Sequence, residues 1–170
     1  FDGETTEGSF RALVYRAPRF RMGLELDRKW AARGDAVKGT VRASYYTGGP
    51  LDRAPASFSA YGSPESFSPP GWDGFSFGLQ TWDDTGAGAV NVLSQEGKGQ
   101  LDDQGQWTFG FKTDVALDRP LRVAVEAVAE DPNGRTLSAS APMWLRPAAV
   151  TLGVAPDGTV VRAGEAVPVR

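Results

Sequence analysis

The first residues here that could do chemistry are aromatic. The stretch SPESFSPPGWDGFSFG, Ser63 to Gly78, carries Phe67, Trp72, Phe75 and Phe77 among Gly and Pro breakers, with Tyr61 before it and Trp82 after it. Rings held out on a loop can stack on a sugar or grip a peptide. The competing reading is that the loop folds over its own domain and buries its rings. Each buried ring contributes roughly 1.5–3 kcal/mol, which is how a long loop offsets the entropy of being ordered. Packing is the expected outcome, because compact loops commonly hold themselves with their own side chains.

The remaining candidates are weaker. Carboxylates stand in pairs at Asp83–Asp84, Asp102–Asp103 and Glu130–Asp131. Paired carboxylates can act as the acid and base of a glycosidase or ligate calcium. Two of these pairs lie in or beside short turns, where Asp serves local hydrogen bonds, and no D-x-D-x-D-G loop is present. The tripeptide Arg33-Gly34-Asp35 matches an integrin ligand, but three residues match by chance often, and a Gly-Asp turn leading into a strand explains it. GAGAVN (Gly86–Asn91) has Gly spacing faintly like a phosphate loop, with no Lys-Ser/Thr after it. Ser138 and Ser140 have no histidine to activate them, because the chain has neither His nor Cys. That also removes thiol chemistry, disulfides and the commonest metal ligand. The expectation is no catalytic residue, no cofactor and no metal, and hence no enzyme.

Bulk properties narrow the class further. With 170 residues the chain has length for one domain plus a remnant. A 41% hydrophobic and 23% charged composition predicts folding rather than disorder. Net charge is −3 and the basic residues are scattered, so a nucleic-acid partner is not expected. No run approaches the roughly 18 apolar residues of a membrane span, so no membrane insertion is expected of this chain. A signal-peptide pattern is missing and the first residue is Phe1, so the sequence reads as a piece of a longer protein.

The elements that must position these residues are strands. In RFRMGLELD, Phe20, Met22, Leu24 and Leu26 alternate with polar residues or Gly, the period of a half-buried strand. AVKGTVRASY alternates Val37, Gly39, Val41, Ala43 and Tyr45 in the same way. WTFGFK turns Trp107, Phe109 and Phe111 to one face, LRVAVEA turns Leu121, Val123, Val125 and Ala127, and TLSASAPM turns Leu137, Ala139, Ala141 and Met143. DDQG (Asp102–Gly105) and DPNG (Asp131–Gly134) read as hairpin turns, each closing on a Gly able to take φ > 0, and TGGP (Thr47–Pro50) ends a strand abruptly. No segment has a helical period of useful length. About seven strands, antiparallel by their short turns, predict an all-β, two-sheet antiparallel sandwich. One connection breaks the rhythm: about 35 residues separate the strand near Ala56–Tyr61 from the one near Gly97–Leu101, well beyond the usual loop length. Its aromatic half is expected to be packed and its Gly86–Ala89 half mobile.

An internal echo sets the domain organisation. RGDAV (Arg33–Val37) and AGEAV (Ala163–Val167) stand 130 residues apart, Gly34 to Gly164. RAPRF (Arg16–Phe20) and LRPAAV (Leu145–Val150) stand at nearly the same spacing. A repeat of that length is a domain repeat. The expected division is 1–15, the end of a preceding domain or a linker strand; 16–147, a β-sandwich domain; and 148–170, the truncated start of the next.

The run from Tyr15 to Tyr61 resembles the bacterial α2-macroglobulin family. The carrying motifs are Tyr15, Pro18 and Phe20 as Tyr-x-x-Pro-x-Phe, and Tyr45, Tyr46, Gly48, Gly49 and Pro50 as an aromatic pair running into x-Gly-x-Pro. A Pro-rich aromatic insertion at Ser68–Gly78 and the closing stretches GKGQLDDQGQWTF and VEAVAEDPNGRTLSASA follow in the family's order. The resemblance implies an Ig- or fibronectin-III-like macroglobulin domain, the third of its series with the start of the fourth. It also implies a broad-spectrum endopeptidase inhibitor that traps its protease, and an extracytoplasmic, periplasmic or cell-envelope location. The family's thioester needs a Cys, so it is not in this chain, and no bait segment is recognisable. What transfers is a scaffold role, with neighbouring domains of the same chain as partners and proteases reached only through the full-length protein. The residues expected at domain junctions or a ligand are Tyr15, Pro18, Phe20, Phe67, Trp72, Phe75, Phe77, Trp82 and Trp144. The alternatives are a carbohydrate- or peptide-binding module using the aromatic loop, and an adhesin-type array of Ig-like domains.

Overall fold

The computed structural model describes residues 19–77, 93–117, 119–158, 164 and 166–170. Seven long strands form: β1 (Phe20–Leu26), β3 (Ala36–Tyr45), β4 (Pro55–Pro64), β6 (Leu93–Gln100), β7 (Gln106–Lys112), β8 (Leu121–Glu130) and β9 (Thr136–Arg146). Three short ones join them: β2 (Trp30–Ala32), β5 (Ser76–Phe77) and β10 (Gly153–Val154). One sheet runs β1-β3-β7, a second runs β2-β9-β8-β4-β6, and β10 pairs with β5 in a two-stranded ribbon. The two larger sheets close on one core, as the alternation in the sequence predicts.

The core is built on aromatic rings set against glycines. Phe58 of β4 stacks on Phe109 of β7 with ring centroids 4.1 Å apart, and Trp107 lies 5.1 Å from Phe109. These rings fill space that glycines leave open. A Cβ on Gly39 would stand 2.3 Å from the Phe109 ring, one on Gly97 2.4 Å from Phe58, and one on Gly99 2.3 Å from Trp107. Leu121, Val123, Val125 and Leu145 are fully buried on the inner face of the larger sheet, opposite Val37 and Val41 of the smaller. Such interdigitation is what gives a sandwich its native density.

Three expectations are corrected. DPNG is a hairpin turn, joining β8 and β9 within one sheet, but DDQG is not: it carries the chain from β6, the edge of the larger sheet, to β7, the edge of the smaller. Local turn chemistry is the same in both cases, so composition does not distinguish an in-sheet turn from a corner. Second, the sandwich is not wholly antiparallel. β2 pairs with β9 in parallel, Trp30 opposite Trp144 and Ala32 opposite Arg146. Between two strands of the smaller sheet the chain steps across to the edge of the larger one and runs there alongside β9. Third, the long connection is shorter than expected, because β4 extends to Pro64 and β6 begins at Leu93. Part of it is itself a strand, β5. Asp83–Asp84, Gly86–Asn91 and the segment 1–15, expected as the end of a preceding domain or a linker strand, lie outside the described residues.

Candidate functional site

The aromatic loop is built upward from the outer face of the larger sheet. Side chains alternate along a strand, so burial of Ala31 and Leu145 on the inner face turns Trp30, Trp144 and Arg146 outward. Trp144 and Arg146 are two positions apart and share that face. Arg122 of β8, opposite Trp144 in the ladder, joins them. Its guanidinium lies 5.0 Å from the Trp144 ring centroid. Arg146 sits between two rings, 5.0 Å from Trp30 and 4.6 Å from Phe67. Each such contact stabilises by about 0.5–2 kcal/mol, depending on how far water is excluded.

Phe67 is the hinge between this floor and the loop. The chain leaves β4, the Glu65 amide donates to the Pro120 carbonyl at 3.2 Å, and Phe67 meets Trp144 edge to face at 5.5 Å. The loop then turns back on itself. Gly71 and Gly74 both take positive φ, and the Trp72 and Phe75 amides close successive turns onto the Pro69 and Trp72 carbonyls. The turns bring the rings onto each other: Trp72 on Phe75 at 5.2 Å, Phe67 on Phe77 at 6.0 Å, and Trp72 on Phe77 at 6.4 Å, all near-perpendicular. Edge-to-face pairs at these separations are favourable by about 0.5–1.5 kcal/mol each beyond their buried area. The loop closes as β5 pairing antiparallel with β10, Phe77 opposite Gly153 and Ser76 opposite Val154. A Cβ on Gly153 would stand 2.4 Å from the Phe77 ring, so this approach requires glycine.

Five of the nine residues expected at a junction or ligand thus come together: Phe67, Trp72, Phe75, Phe77 and Trp144. Trp72 alone of these is largely exposed, at 52%. Phe20 stands elsewhere, 1% exposed in the core and edge-on to Tyr45. Tyr15, Pro18 and Trp82 lie outside the described residues. Tyr61 projects from the outer face of β4, more than half exposed. Four participants were not legible beforehand: Trp30, Arg122, Arg146 and Gly153. Trp144 and Arg146 at strand spacing were a usable signal for the floor, but Trp30 reaches it only through the parallel pairing.

The other candidates are engaged locally. Asp102 Oδ1 accepts from the Gln104 and Gln106 amides at 2.9 and 2.8 Å. Asp131 Oδ1 accepts from the Asn133 and Arg135 amides at 2.8 and 2.9 Å. The Arg135 amide, opposed only in part by burial, holds the Asp131 carboxyl below its ordinary value. At Asp27, burial pushes the carboxyl upward, but the Lys38 amide and the Arg28 guanidinium outweigh it and the net shift is downward. In Arg33-Gly34-Asp35 the Asp35 carboxylate accepts from the Ala32 amide at 3.0 Å. Gly34, at φ 89°, donates to the Thr113 carbonyl at 3.2 Å. Its counterpart in the echo, Gly164, has φ 87°. Ser138 and Ser140 lie exposed on the outer face of β9. Among the described residues, no three His, Cys, Asp or Glu side chains are grouped to hold a metal ion.

Comparison with known proteins agrees with this architecture. A family profile described as "Bacterial Alpha-2-macroglobulin MG5 domain" matches residues 18–147. An α2-macroglobulin homolog of Nostoc sp. is 23% identical over 169 residues, 99% of this chain and 9% of that protein. Trypsin-activated α2-macroglobulin from Escherichia coli superposes with a TM-score of 0.63 at 22% identity, over 82% of this chain and 9% of that one. Salmonella α2-macroglobulin reacted with methylamine gives 0.64 at 21% identity, over 84% and 9%. The chain therefore spans about a tenth of the length of these relatives. The profile is that of the MG5 domain, which corrects the expected place in the series from third to fifth. On the match over residues 18–147 and the sandwich just described, the chain belongs to the bacterial α2-macroglobulin family, as a macroglobulin-like domain fragment.

Proposed function

We propose that this chain is a scaffold domain of a bacterial α2-macroglobulin-like protein that inhibits endopeptidases broadly by trapping them. The family match over residues 18–147 carries the reading. The pairing of β5 with β10 gives it a physical form. The aromatic loop leaves the sandwich and pairs with Gly153 and Val154, which follow its last long strand. It is a strap across a domain junction, and its rings are spent on each other, on the Trp144–Arg146 floor and on Gly153. That arrangement favours packing over a free sugar or peptide site. The domain itself performs no catalysis.

The same reading divides the chain at 15/16 and 147/148, with 148–170 opening the next sandwich. Matching positive φ at Gly34 and Gly164 supports that division. Val150, Leu152 and Val169 are all well exposed, as expected of apolar residues that a neighbouring domain would cover. Partners are then the neighbouring domains. Target proteases are met only by the full-length protein, in an extracytoplasmic, periplasmic or cell-envelope compartment. The test is protease challenge of the full-length protein. One preferred cleavage is expected, followed by loss of activity on large substrates and retention on small ones. A protein that neither traps nor inhibits any endopeptidase refutes the reading.

A further inference from the structure

The Arg146 guanidinium is a cation in an unusual position. Rings cover it on two sides, Trp30 and Phe67. Its Nε is buried and has no hydrogen-bond partner. Among the described residues none of the ion pairs includes it. A partly desolvated guanidinium without a counter-charge is unfavourable, and five N–H donors in a fixed plane are most strongly satisfied by a carboxylate. Contact with a ring on each side already restricts the side chain before any partner arrives, so less of its entropy remains to be lost on pairing. Its surroundings point the same way. Trp30, one of the two rings against it, is 46% exposed, so the cation lies beside an aromatic surface open to solvent. Arg146 is the last residue of β9, seven residues before the strap's partner Gly153.

We propose that Arg146 is a docking point for a carboxylate side chain carried by another domain of the same full-length chain. The guanidinium, held against the Trp30 and Phe67 rings, pairs with it beside the half-exposed Trp30 ring. The proposal rests on the reading that neighbouring domains flank this one. Three facts argue for an intramolecular occupant. In the Nostoc relative, the stretch matching this chain makes up 9% of the polypeptide, so there most of the chain lies outside it. The site is continuous with the β5–β10 contact, which already joins the sandwich to the segment beyond Pro147. Carboxylate is also the anion that an unmodified protein surface supplies.

Two measurements test this. In the 170-residue chain, the Arg146 Nε–H and Trp30 indole N–H resonances are followed while sodium acetate is titrated against sodium chloride at matched ionic strength. A saturable movement with acetate alone is expected, with the Trp30 response lost in R146Q and partly kept in R146K. Equal movement in chloride, or a Trp30 response that survives R146Q, overturns the site. In the full-length protein, hydrogen exchange of the segment around Trp144–Pro147 is expected to be slower by roughly tenfold than in the 170-residue chain. R146Q should remove that excess protection, and R146K should retain part of it. An acetate response with no excess protection in the full-length protein overturns the intramolecular occupant. Neither result depends on protease trapping, so failure of the docking point and failure of the inhibitor reading are separable.

Discussion

Replacing Gly153 by alanine isolates the strap from the sandwich. The new Cβ would lie 2.4, 2.6 and 3.0 Å from three atoms of the Phe77 ring. Carbon atoms pack at about 3.5–4.0 Å, so the ring must retreat by about 1 Å or more. It cannot do so alone, because Phe67, Trp72 and Phe75 all have centroids within 6.4 Å of it. Overpacking of this kind costs about 1–3 kcal/mol. The cost falls on a two-residue ladder and the ring cluster, not on the core, to which Gly153 makes no contribution. At 1.4 kcal/mol per factor of ten, the strap should open roughly 5- to 100-fold more often. Hydrogen exchange of residues 65–77 reads that directly. Urea denaturation of the sandwich should shift by less than about 0.5 kcal/mol, the usual range for a change outside the core. Unchanged exchange in the loop refutes the argument that Phe77 against Gly153 holds the strap. So does a global loss that keeps pace with the loop.

Other outcomes are expected on the same grounds. Gly97→Ala and Gly39→Ala, each meeting an aromatic ring at 2.4 Å or less, should lower the stability of the sandwich by about 1–3 kcal/mol in urea denaturation. Gly23→Ala, with nothing within 4 Å of the new Cβ, should be neutral or slightly stabilising, and a loss there as large as at Gly97 would show that ring contact is not the cause. Thr113 is fully buried and its hydroxyl donates toward the Ala32 and Asp35 carbonyls at 2.8 and 2.9 Å. Thr113→Val should cost about 1–3 kcal/mol and speed exchange of the Gly34 amide; wild-type exchange would contradict it. Asp27 and Asp131 both have depressed carboxyl pKa values in the folded protein. Their contribution is therefore present above the ordinary value of 3.8 and is lost as pH falls below it. Asp131→Asn should flatten the acid limb of the stability curve, and an unchanged limb would remove Asp131 from its causes.

The alternation of apolar residues carried most of the fold. Val37, Val41, Phe109, Phe111 and the odd-numbered positions from Leu121 to Ala129 are buried where their spacing puts them. A two-residue period reports which side of a strand faces inward, but not which sheet the strand joins. That is why DDQG was legible as a turn and not as a corner, and why β2, only three residues long, left no pattern to read. The loop rings were legible as a packed group, since their number demanded burial somewhere. Their counterpart was not. Gly153 signals nothing by itself, and Arg146 reads as an ordinary outward cation until the ring on each side of it is located.

The parallel edge made by β2 also governs when this unit can form. Trp30 stands opposite Trp144, and β9 is in addition the partner of β8 along its whole length. That side of the larger sheet stays incomplete until nearly the last residue of the sandwich has emerged from the ribosome. Contacts between such distant positions are slow to make, because loop closure must come before they contribute. In a polypeptide made of many similar sandwiches, each one waits for its own final strand while its successor is already being synthesised. A strap that rests on that strand through Phe67 and also pairs beyond it, at Gly153 and Val154, then completes its contacts last, after the domain it leaves is already closed.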